Sequence, residues 1–307
     1  MNKLYVISRK IGGPIKRAIK PKVNKKTFGG RTNILDIIEA NNILLELINN
    51  GNPLSVIRMG FSELESLYEV EKKINNKHYL RFGKININAM FDDDEEQIKK
   101  YHSLIVDSYN KADLIANWYS CKMEGDLIKK YSKNSILVPS KVLEPRLLKK
   151  PWSMALEGKK VLVIHPFTKT IVSQYKKREL LFDNKLFLPN FELKVIPSVW
   201  YDPFDMDRKF ITWFDALNYL KEEIRKTQFD IALLGCGPFG VPLVTYIKDI
   251  GKQAIYIGGA LQIMFGIKGA RWDQIKEVRD LYNEHWVRPD EEFKPNKYDK
   301  IDGGCYW

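Results

Sequence analysis

Short apolar runs alternate with helical patterns through the second half of this chain. The clearest run is Lys-Val-Leu-Val-Ile-His at 160–165, and the runs at 193–195, 231–234 and 254–257 follow it with helical patterns between them. Continuous apolar runs of this length are typical of parallel strands buried on both faces. We therefore predict right-handed βαβ units in a doubly wound, mostly parallel, Rossmann-like α/β sheet with helices on both faces.

The first half repeats this alternation with shorter strands. A helical pattern begins after Asn33, and apolar runs at 54–58, 114–116 and 136–138 have helical patterns between them. A chain of 307 residues is long enough for one large domain of this kind. The predicted division is a basic arm at 1–31, an α/β domain at 32–285 with halves of about 32–155 and 156–285, and a tail at 286–307.

Positive charge is concentrated at the start of the chain. Fifty Lys and Arg residues against 38 Asp and Glu give a net charge of +12, and the first acidic residue is Asp36. The basic arm is either a solvated extension or a segment that docks on anionic lipid headgroups. Because no recognition helix, zinc-finger spacing or RNP-type strand accompanies the charge, nucleic acid is not an expected partner.

Cysteine spacing and hydropathy bear on the cellular compartment. Cys121, Cys236 and Cys305 lack C-x-x-C spacing, which argues against a disulfide framework or a thiolate zinc site. The longest uncharged apolar stretch, 253–267, is shorter than the roughly 20 residues of a membrane span. We expect a cytoplasmic protein, peripherally attached to the inner face of the plasma membrane where the arm binds lipid.

Ligands bind open parallel sheets beyond the carboxyl ends of the strands, and four segments there carry candidate residues. The first is Arg-Met-Gly-Phe-Ser-Glu at 58–63, where a strand passes through Gly60 into a helix and leaves Arg58 and Glu63 at the sheet edge. The structural alternative is a helix cap at Ser62, with Glu63 complementing the helix dipole.

The second segment begins at His165, the last residue of the clearest strand. A histidine beside a helix N-terminus can act as a base or hold a phosphate oxygen, although a lone histidine is also a common structural residue. The third segment, Gly-Cys-Gly-Pro-Phe-Gly at 235–240, matches G-x-G-x-x-G and would bring the backbone of Gly235 and Gly237 to a pyrophosphate. The acid expected about 20 residues later is absent, which weakens NAD and S-adenosylmethionine as ligands and leaves a tight packing turn as the alternative.

The fourth segment, 258–272, has the highest density of glycine and cationic residues. Gly258 and Gly259 follow a strand, and Lys268 and Arg271 come shortly after. Backbone N–H groups and two cations could surround a diphosphate there, whereas the structural alternative is a glycine-rich loop with solvated bases.

Neither a histidine pair with metal-ligand spacing nor a hydrolase motif occurs in the sequence. The four histidines form no H-x-x-x-H or H-x-H pair, and the acidic run 92–96 is interpreted as a helix N-terminus rather than a cation site. G-x-S-x-G and S-x-x-K are also absent, so nucleophilic hydrolysis is not expected.

Further short motifs accompany these segments. They are His165-Pro166-Phe167, Gln174-Tyr175, Leu188-Pro189, Trp213-Phe214, Leu234-Gly235-Cys236-Gly237 with Gly240, Gly258-Gly259-Ala260-Leu261-Gln262, Phe265-Gly266-Ile267-Lys268-Gly269 and Arg271-Trp272. Together they resemble the GT-D fold glycosyltransferases, a bacterial family found with polysaccharide-assembly genes. The segment 58–63 is similar to that family's Arg-x-Gly-Asp-x-Glu element, whose Asp-x-Glu motif is implicated in binding metal and sugar nucleotide. The likeness covers roughly 55–275.

The resemblance implies transfer of a sugar from a nucleotide-diphosphate donor, a UDP-sugar by preference, to a bacterial cell-surface glycan intermediate. That acceptor is a capsule, O-antigen or exopolysaccharide precursor, and a lipid-linked one fits the basic arm. Glu63 and His165 are the expected catalytic residues, with Glu63 as base or metal ligand. Phe61 stands at the position of the motif's Asp, which weakens the case for Mn²⁺ or Mg²⁺ at Glu63. The residues expected around the donor are Arg58, Gly60, Gly235, Gly237, Gly258, Gly259, Gln262, Lys268 and Arg271.

Two other functions remain open. One is a Rossmann-type enzyme that uses NAD or S-adenosylmethionine, which rests on the glycine pattern at 235–240 alone. The other is a non-catalytic scaffold in a polysaccharide-assembly complex, for which Phe61 would mark a lost active site.

Overall fold

The computed structural model contains one sheet of seven strands, all parallel. The residues that it describes are 28–31, 35–60, 63–64, 67–68, 70–71, 91, 94–118, 121–201, 209–294, 298 and 302–307. The strands are β1 Leu54–Ile57, β2 Leu114–Asn117, β3 Ile136–Pro139, β4 Lys160–His165, β5 Glu192–Pro197, β6 Ile231–Leu234 and β7 Gln253–Tyr256. Their order across the sheet is β3-β2-β1-β7-β6-β4-β5.

Helices connect the strands and cover the sheet. They are α1 Ile37–Asn50, α2 Glu95–Lys111, α3 Lys122–Tyr131, α4 Thr168–Tyr175, α5 Arg178–Leu181, α6 Trp213–Lys226, α7 Gly240–Asp249, α8 Leu261–Met264, α9 Ala270–Asp273 and α10 Lys276–Arg279. The described residues between 63 and 71 are also helical. In the described part of the chain, no helix combines the length and the apolarity needed to cross a membrane.

Both faces of the sheet are buried, which confirms the predicted doubly wound α/β class. Leu162 and Leu234 belong to one core cluster with apolar residues of α2, α6 and α7. Their strand neighbours Val163 and Leu233 point to the opposite face and pack with residues of α1, α4 and α8. Successive side chains of a strand alternate between faces, so a strand that is apolar throughout requires helices on both sides.

Local sequence determines where two of the helices begin. The predicted capping box of α6 is present: Asp215 N–H donates to Thr212 Oγ1 at 3.1 Å, and the Asp215 carboxylate accepts from Thr212 N–H at 2.9 Å. The pattern after Asn33 predicts an earlier start for α1 than the structure shows. Asp36 is the N-cap and forms its own capping box with Glu39, while Asn33 lies outside the described residues.

The first and the last described residues contact the domain. Of the predicted arm, 1–27 lie outside the described residues, whereas Phe28 is buried in the core and Arg31 donates to the backbone carbonyls of Ser132 and Ser135 after α3. At the other end, 302–307 pack on the loop after β7, where Arg271 N–H donates to the Cys305 carbonyl at 2.9 Å.

The strand order places two crevices at the carboxyl edge of the sheet. β1 and β7 are neighbours, but the chain after β1 packs with Leu64 and Leu67 on one face of the sheet, whereas the chain after β7, the last strand, packs with Leu261 and Met264 on the opposite face. Similarly, β4 leads outward to β5 while the adjacent β6 leads inward to β7. Ligands of open α/β sheets bind where neighbouring connections diverge in this way. The segments after β1, β4, β6 and β7 are therefore the ones placed to form a site.

We expect substitution of Trp213 to test the packing of α6 on the sheet. Its ring is fully buried, stacked on Phe239 with centroids 4.8 Å apart and edge-on to Tyr101 at 5.2 Å. Trp213→Ala should reduce the free energy of unfolding by about 3–5 kcal/mol, measured by urea denaturation. The nearby Ile211→Ala, at a side chain 79% exposed, should change it by less than about 0.5 kcal/mol. Equal losses in the two variants would contradict the packing described.

Candidate functional site

Arg58 lies at the crevice between β1 and β7, directly after β1. Its guanidinium carbon is 5.3 Å from the ring centroid of Trp118 and 6.0 Å from that of Tyr256. One nitrogen, Nη1, is 3.5 Å from the carbonyl oxygen of Ile257, a long contact for a hydrogen bond. Among the residues that the structure describes, Arg58 forms no ion pair. The guanidinium is thus held by aromatic rings and retains donors for an anion.

Two consecutive glycines after β7 lie against two arginines. At Gly258, with φ +72°, a Cβ atom would be 2.0 Å from Nη1 of Arg58. At Gly259, a Cβ atom would be 3.5 Å from Nη1 of Arg271. The Arg271 guanidinium is itself 4.9 Å from the ring centroid of Tyr306. The structure therefore brings the predicted residues Arg58, Gly258, Gly259 and Arg271 together, although Arg271 is more than 200 positions from Arg58 in the sequence.

Glu63 closes the turn that follows β1. Its Oε2 accepts the N–H of Gly60 at 2.6 Å, and a Cβ atom on Gly60 would lie 2.6 Å from the same oxygen. The pKa of Tyr256 is raised well above its ordinary value, first by burial and then by the negative charge of Glu63. Glu63 therefore lies near the β1–β7 crevice, while Phe61 and the predicted cap Ser62 lie outside the described residues.

His165 ends β4 at the other crevice, where it is buried and 3% exposed. Its Nδ1 accepts the N–H of Phe167 at 3.1 Å, which leaves the proton of the neutral ring on Nε2. Burial lowers the pKa of His165 to about 3, so the ring is uncharged near neutrality. His165 can donate from Nε2 but cannot supply a positive charge to a phosphate. Its catalytic role stays a prediction.

Two glycines of the G-x-G-x-x-G segment face protein atoms, whereas Gly237 faces open space. A Cβ atom on Gly235 would be 2.7 Å from Cδ2 of His165, and one on Gly240 would be 2.3 Å from the Tyr256 ring. Gly237 has φ +55°, and its carbonyl accepts the Tyr256 hydroxyl at 2.9 Å. Close packing and a left-handed backbone thus account for these three glycines, which favours the packing-turn interpretation over a dinucleotide loop.

Gln262 and Lys268 contact other parts of the protein. The amide nitrogen of Gln262 donates to the carbonyls of Lys268 at 2.7 Å and Tyr306 at 2.8 Å, and its oxygen accepts from Trp272 at 3.2 Å. Gln262 is fully buried, so in this structure its amide fixes the last residues of the chain to the loop after β7. The Lys268 ammonium lies 5.3 Å from the ring centroid of Tyr282. Donor binding by either residue stays a prediction.

The sequence analysis did not identify two residues near the carboxyl edge of the sheet, Trp118 and Glu124. Trp118 directly follows β2, and its Nε1–H donates to the carbonyl of Met59 at 3.1 Å. Glu124, in the first turn of α3, is fully buried, and its Oε2 accepts the backbone N–H of Trp118 at 2.9 Å. Burial raises the pKa of Glu124 to about 8, against smaller lowering effects of the Trp118 hydrogen bond and the Arg58 charge. The carboxyl group is therefore mostly neutral at pH 7.

The described residues near Glu63 do not fit a metal ion. The described residues contain no group of three or more His, Cys, Asp or Glu side chains that could hold one. Phe61, at the position of the motif's Asp, carries no ligand atom. Farther along the chain, Asp94 caps α2 by accepting from the N–H groups of Glu96 and Gln97, as the helix-start interpretation of the acidic run predicts. We derive no catalytic step through a metal.

Comparisons with known proteins give distant structural likenesses. No family model matches the chain, and no curated protein matches it. A selenomethionine-substituted structure of domain of unknown function 1792 is 15% identical, with a TM-score of 0.42 over 74% of this chain and 78% of its own. Another structure, described as that domain with a distinct glycosyltransferase fold, is 14% identical, with a TM-score of 0.43 over 73% and 77%. A third, described as a new glycosyltransferase of this domain from Streptococcus sanguinis, is 13% identical, with a TM-score of 0.45 over 87% and 96%. These likenesses are too distant to assign an activity.

The buried carboxyl group of Glu124 should make stability depend on pH. Its pKa is about 8 in the folded protein against an ordinary 4.5, so the folded state keeps a proton that the unfolded state loses. Between these values wild-type stability should fall as pH rises, with a slope approaching about 1.4 kcal/mol per pH unit. Glu124→Gln should remove this contribution, so thermal unfolding from pH 4.5 to 8 should show the variant gaining stability over the wild type.

Asp126→Asn provides the control, because Asp126 is an exposed carboxylate on the same helix. It should leave the pH dependence of the wild type in place. A stability difference between Glu124→Gln and wild type that does not change with pH would show that Glu124 titrates normally.

Proposed function

We propose that this protein is a glycosyltransferase that takes a sugar from a nucleoside-diphosphate donor, a UDP-sugar. The observation that carries the proposal is the convergence of Arg58 and Arg271 on the turn at Gly258 and Gly259. Guanidinium groups bind phosphate oxygens through charge-assisted hydrogen bonds, and a diphosphate offers oxygens to two of them. The turn lies at the crevice where ligands of such sheets bind.

The glycine pair allows this approach. The absence of side chains at these positions lets Arg58 lie against Gly258, and lets the Tyr306 ring and Arg271 lie against Gly259. Trp118 is 41% exposed beside Arg58 and offers an aromatic face to a nucleobase or a sugar ring. Arg58, Gly258, Gly259 and Arg271 are among the residues that the resemblance described above leads us to expect around the donor, whereas Trp118 is not.

In the proposed reaction, Glu63 accepts the proton of an acceptor hydroxyl as its oxygen attacks the anomeric carbon of the donor. The bond from that carbon to the diphosphate oxygen breaks, and its electron pair leaves with the diphosphate. Arg58 and Arg271 stabilise the negative charge that develops on the leaving group, in place of a metal ion. His165, neutral and buried, contributes at most a hydrogen bond from Nε2.

The proposed acceptor is a bacterial cell-surface glycan intermediate, a precursor of capsule, O-antigen or exopolysaccharide. A lipid-linked acceptor at the inner face of the plasma membrane fits the ten Lys and Arg residues that precede Asp36. Most of that arm lies outside the described residues. Its membrane attachment therefore rests on charge alone.

The donor class can be tested by ligand-induced stabilisation. We expect one of UDP, GDP or dTDP, UDP first, to raise the melting temperature, since a ligand at 100 times its Kd stabilises by about 2.7 kcal/mol. Mn²⁺ should add nothing. Arg58→Gln should weaken nucleotide binding by about 10- to 100-fold, because it removes a charge-assisted hydrogen bond. The control Arg225→Gln, at an exposed arginine, should bind the nucleotide as tightly as the wild type does. A shift with only NAD or S-adenosylmethionine, or none with any nucleotide, would contradict the proposal.

The role of Glu63 is tested separately by turnover. Glu63→Gln keeps an oxygen that can accept the Gly60 N–H but cannot take a proton from the acceptor. We expect kcat for transfer, or for hydrolysis of the donor, to fall by about 10²- to 10⁴-fold with nucleotide affinity unchanged. Glu223→Gln, on the surface of α6, serves as the control. Normal turnover in Glu63→Gln would remove this residue from the chemistry.

A further inference from the structure

Two buried polar atoms beneath the Arg58 crevice lack partners among the described residues. Glu124 is fully buried; its Oε2 accepts the Trp118 N–H, but its Oε1 has no hydrogen-bond partner. The hydroxyl of Tyr109, a residue 1% exposed on α2, also lacks one. The two groups interact, because the charge of Glu124 contributes, after burial, to raising the pKa of Tyr109. An unsatisfied buried carboxyl group is costly, so its presence beside the site calls for an explanation.

A short series of contacts joins Glu124 to Arg58. The Glu124 carboxyl group holds the backbone N–H of Trp118 at 2.9 Å. The indole of Trp118 in turn donates to the Met59 carbonyl at 3.1 Å and lies 5.3 Å from the Arg58 guanidinium. Trp118 is therefore fixed at its backbone by α3 and at its ring by the segment that follows β1. Loss of the Glu124 carboxyl group would remove its hydrogen bond to the Trp118 backbone, the first of these two attachments.

We propose that Glu124 is a positioning residue for Arg58: in its neutral form it holds Trp118 against the guanidinium and leaves that cation to the anionic ligand. This inference rests on the proposed function, in which the ligand of Arg58 is a nucleoside diphosphate. Ionised Glu124 would instead compete with the diphosphate for the charge of Arg58. Nucleotide binding is then linked to the protonation of Glu124, and the ligand binds best to the neutral form.

The surroundings of Glu124 determine the pH range of this linkage. Burial raises its pKa to about 8, and the positive charge of Arg58 is the nearby ionic influence that lowers it. The other titratable groups that face it are Tyr109 from α2 and Cys121 at the start of α3, both with pKa values raised by burial first. The charge of Glu63 also contributes to raising the pKa of Tyr109, after burial. Near pH 8, Glu124 is therefore the group whose charge changes beside Arg58.

Calorimetric titration with UDP at pH 7 and pH 9 tests the proposal. Wild-type affinity should fall about tenfold between these values, because one group with a pKa near 8 must be protonated for binding. Glu124→Gln copies the neutral form, so it should match the wild type at pH 7 within about twofold and keep that affinity at pH 9. Glu124→Ala releases the Trp118 N–H and should bind at least about fivefold more weakly at both pH values.

Two variants control for other sources of pH dependence. Asp126→Asn removes an exposed carboxylate from the same helix, and Cys121→Ser removes the neighbouring thiol. Both should retain the tenfold loss of the wild type. The proposal is overturned if Glu124→Gln loses affinity at pH 9 as the wild type does, or if Glu124→Ala binds normally. If Glu124 had only a structural role, Glu124→Gln would not differ from the other variants by losing the pH dependence of UDP affinity.

A measurement without ligand separates this inference from the proposed function. The pKa of Glu124 can be followed by carboxyl ¹³C NMR, with its signal assigned by its absence in Glu124→Gln. It should rise further in Arg58→Gln, since the charge of Arg58 lowers it. If no nucleoside diphosphate binds the wild type, the proposed function fails and this titration decides whether Glu124 and Arg58 are coupled. An unchanged pKa in Arg58→Gln overturns the inference.

Discussion

Burial of the central strands on both faces of the sheet is the constraint on which the site depends. Strands such as β1, β2, β6 and β7 have no exposed residue, so neither face of the sheet can present polar side chains to a ligand. Polar and charged groups can reach solvent only at the sheet edges. The segments that follow β1 and β7 pack on opposite faces of the sheet, and this separation opens the crevice that Arg58 occupies.

Much of this architecture could be predicted from the sequence because the signals are local. The strands at 160–165 and 231–234 are read directly from uninterrupted apolar runs, and the capping box at Thr212 requires only a hydroxyl followed by a carboxylate three residues later. Ligands bind beyond the carboxyl ends of parallel strands, and this rule also identified Arg58 and Gly258 as candidates at the same edge of the sheet. The start of α1 was misplaced because Asn33 and Asp36 are both good caps, and local sequence does not decide between them.

The remaining features depend on contacts that no local pattern contains. The sequence does not distinguish a glycine that lets a ligand approach the backbone from one that lets a side chain approach it. Gly240 is a glycine of the latter type, because the Tyr256 ring packs against it. Glu124 does carry a signal in retrospect: it lies three and four residues before Leu127 and Ile128, on the buried face of α3. Trp118 follows a strand and could have been found by the rule that identified Arg58.

The buried carboxyl group of Glu124 is easier to understand as part of a site than as part of a scaffold. A glutamine could accept the same backbone N–H of Trp118 without the cost of keeping a carboxyl group away from water. A carboxyl group differs from that amide in one respect: it can lose its proton beside Arg58. Groups that lower stability while adding a titratable charge next to a binding residue are characteristic of functional sites, where stability is exchanged for reactivity or selectivity. Gly258 and Gly259 likewise bring two guanidinium groups, those of Arg58 and Arg271, to one turn at the edge of the sheet.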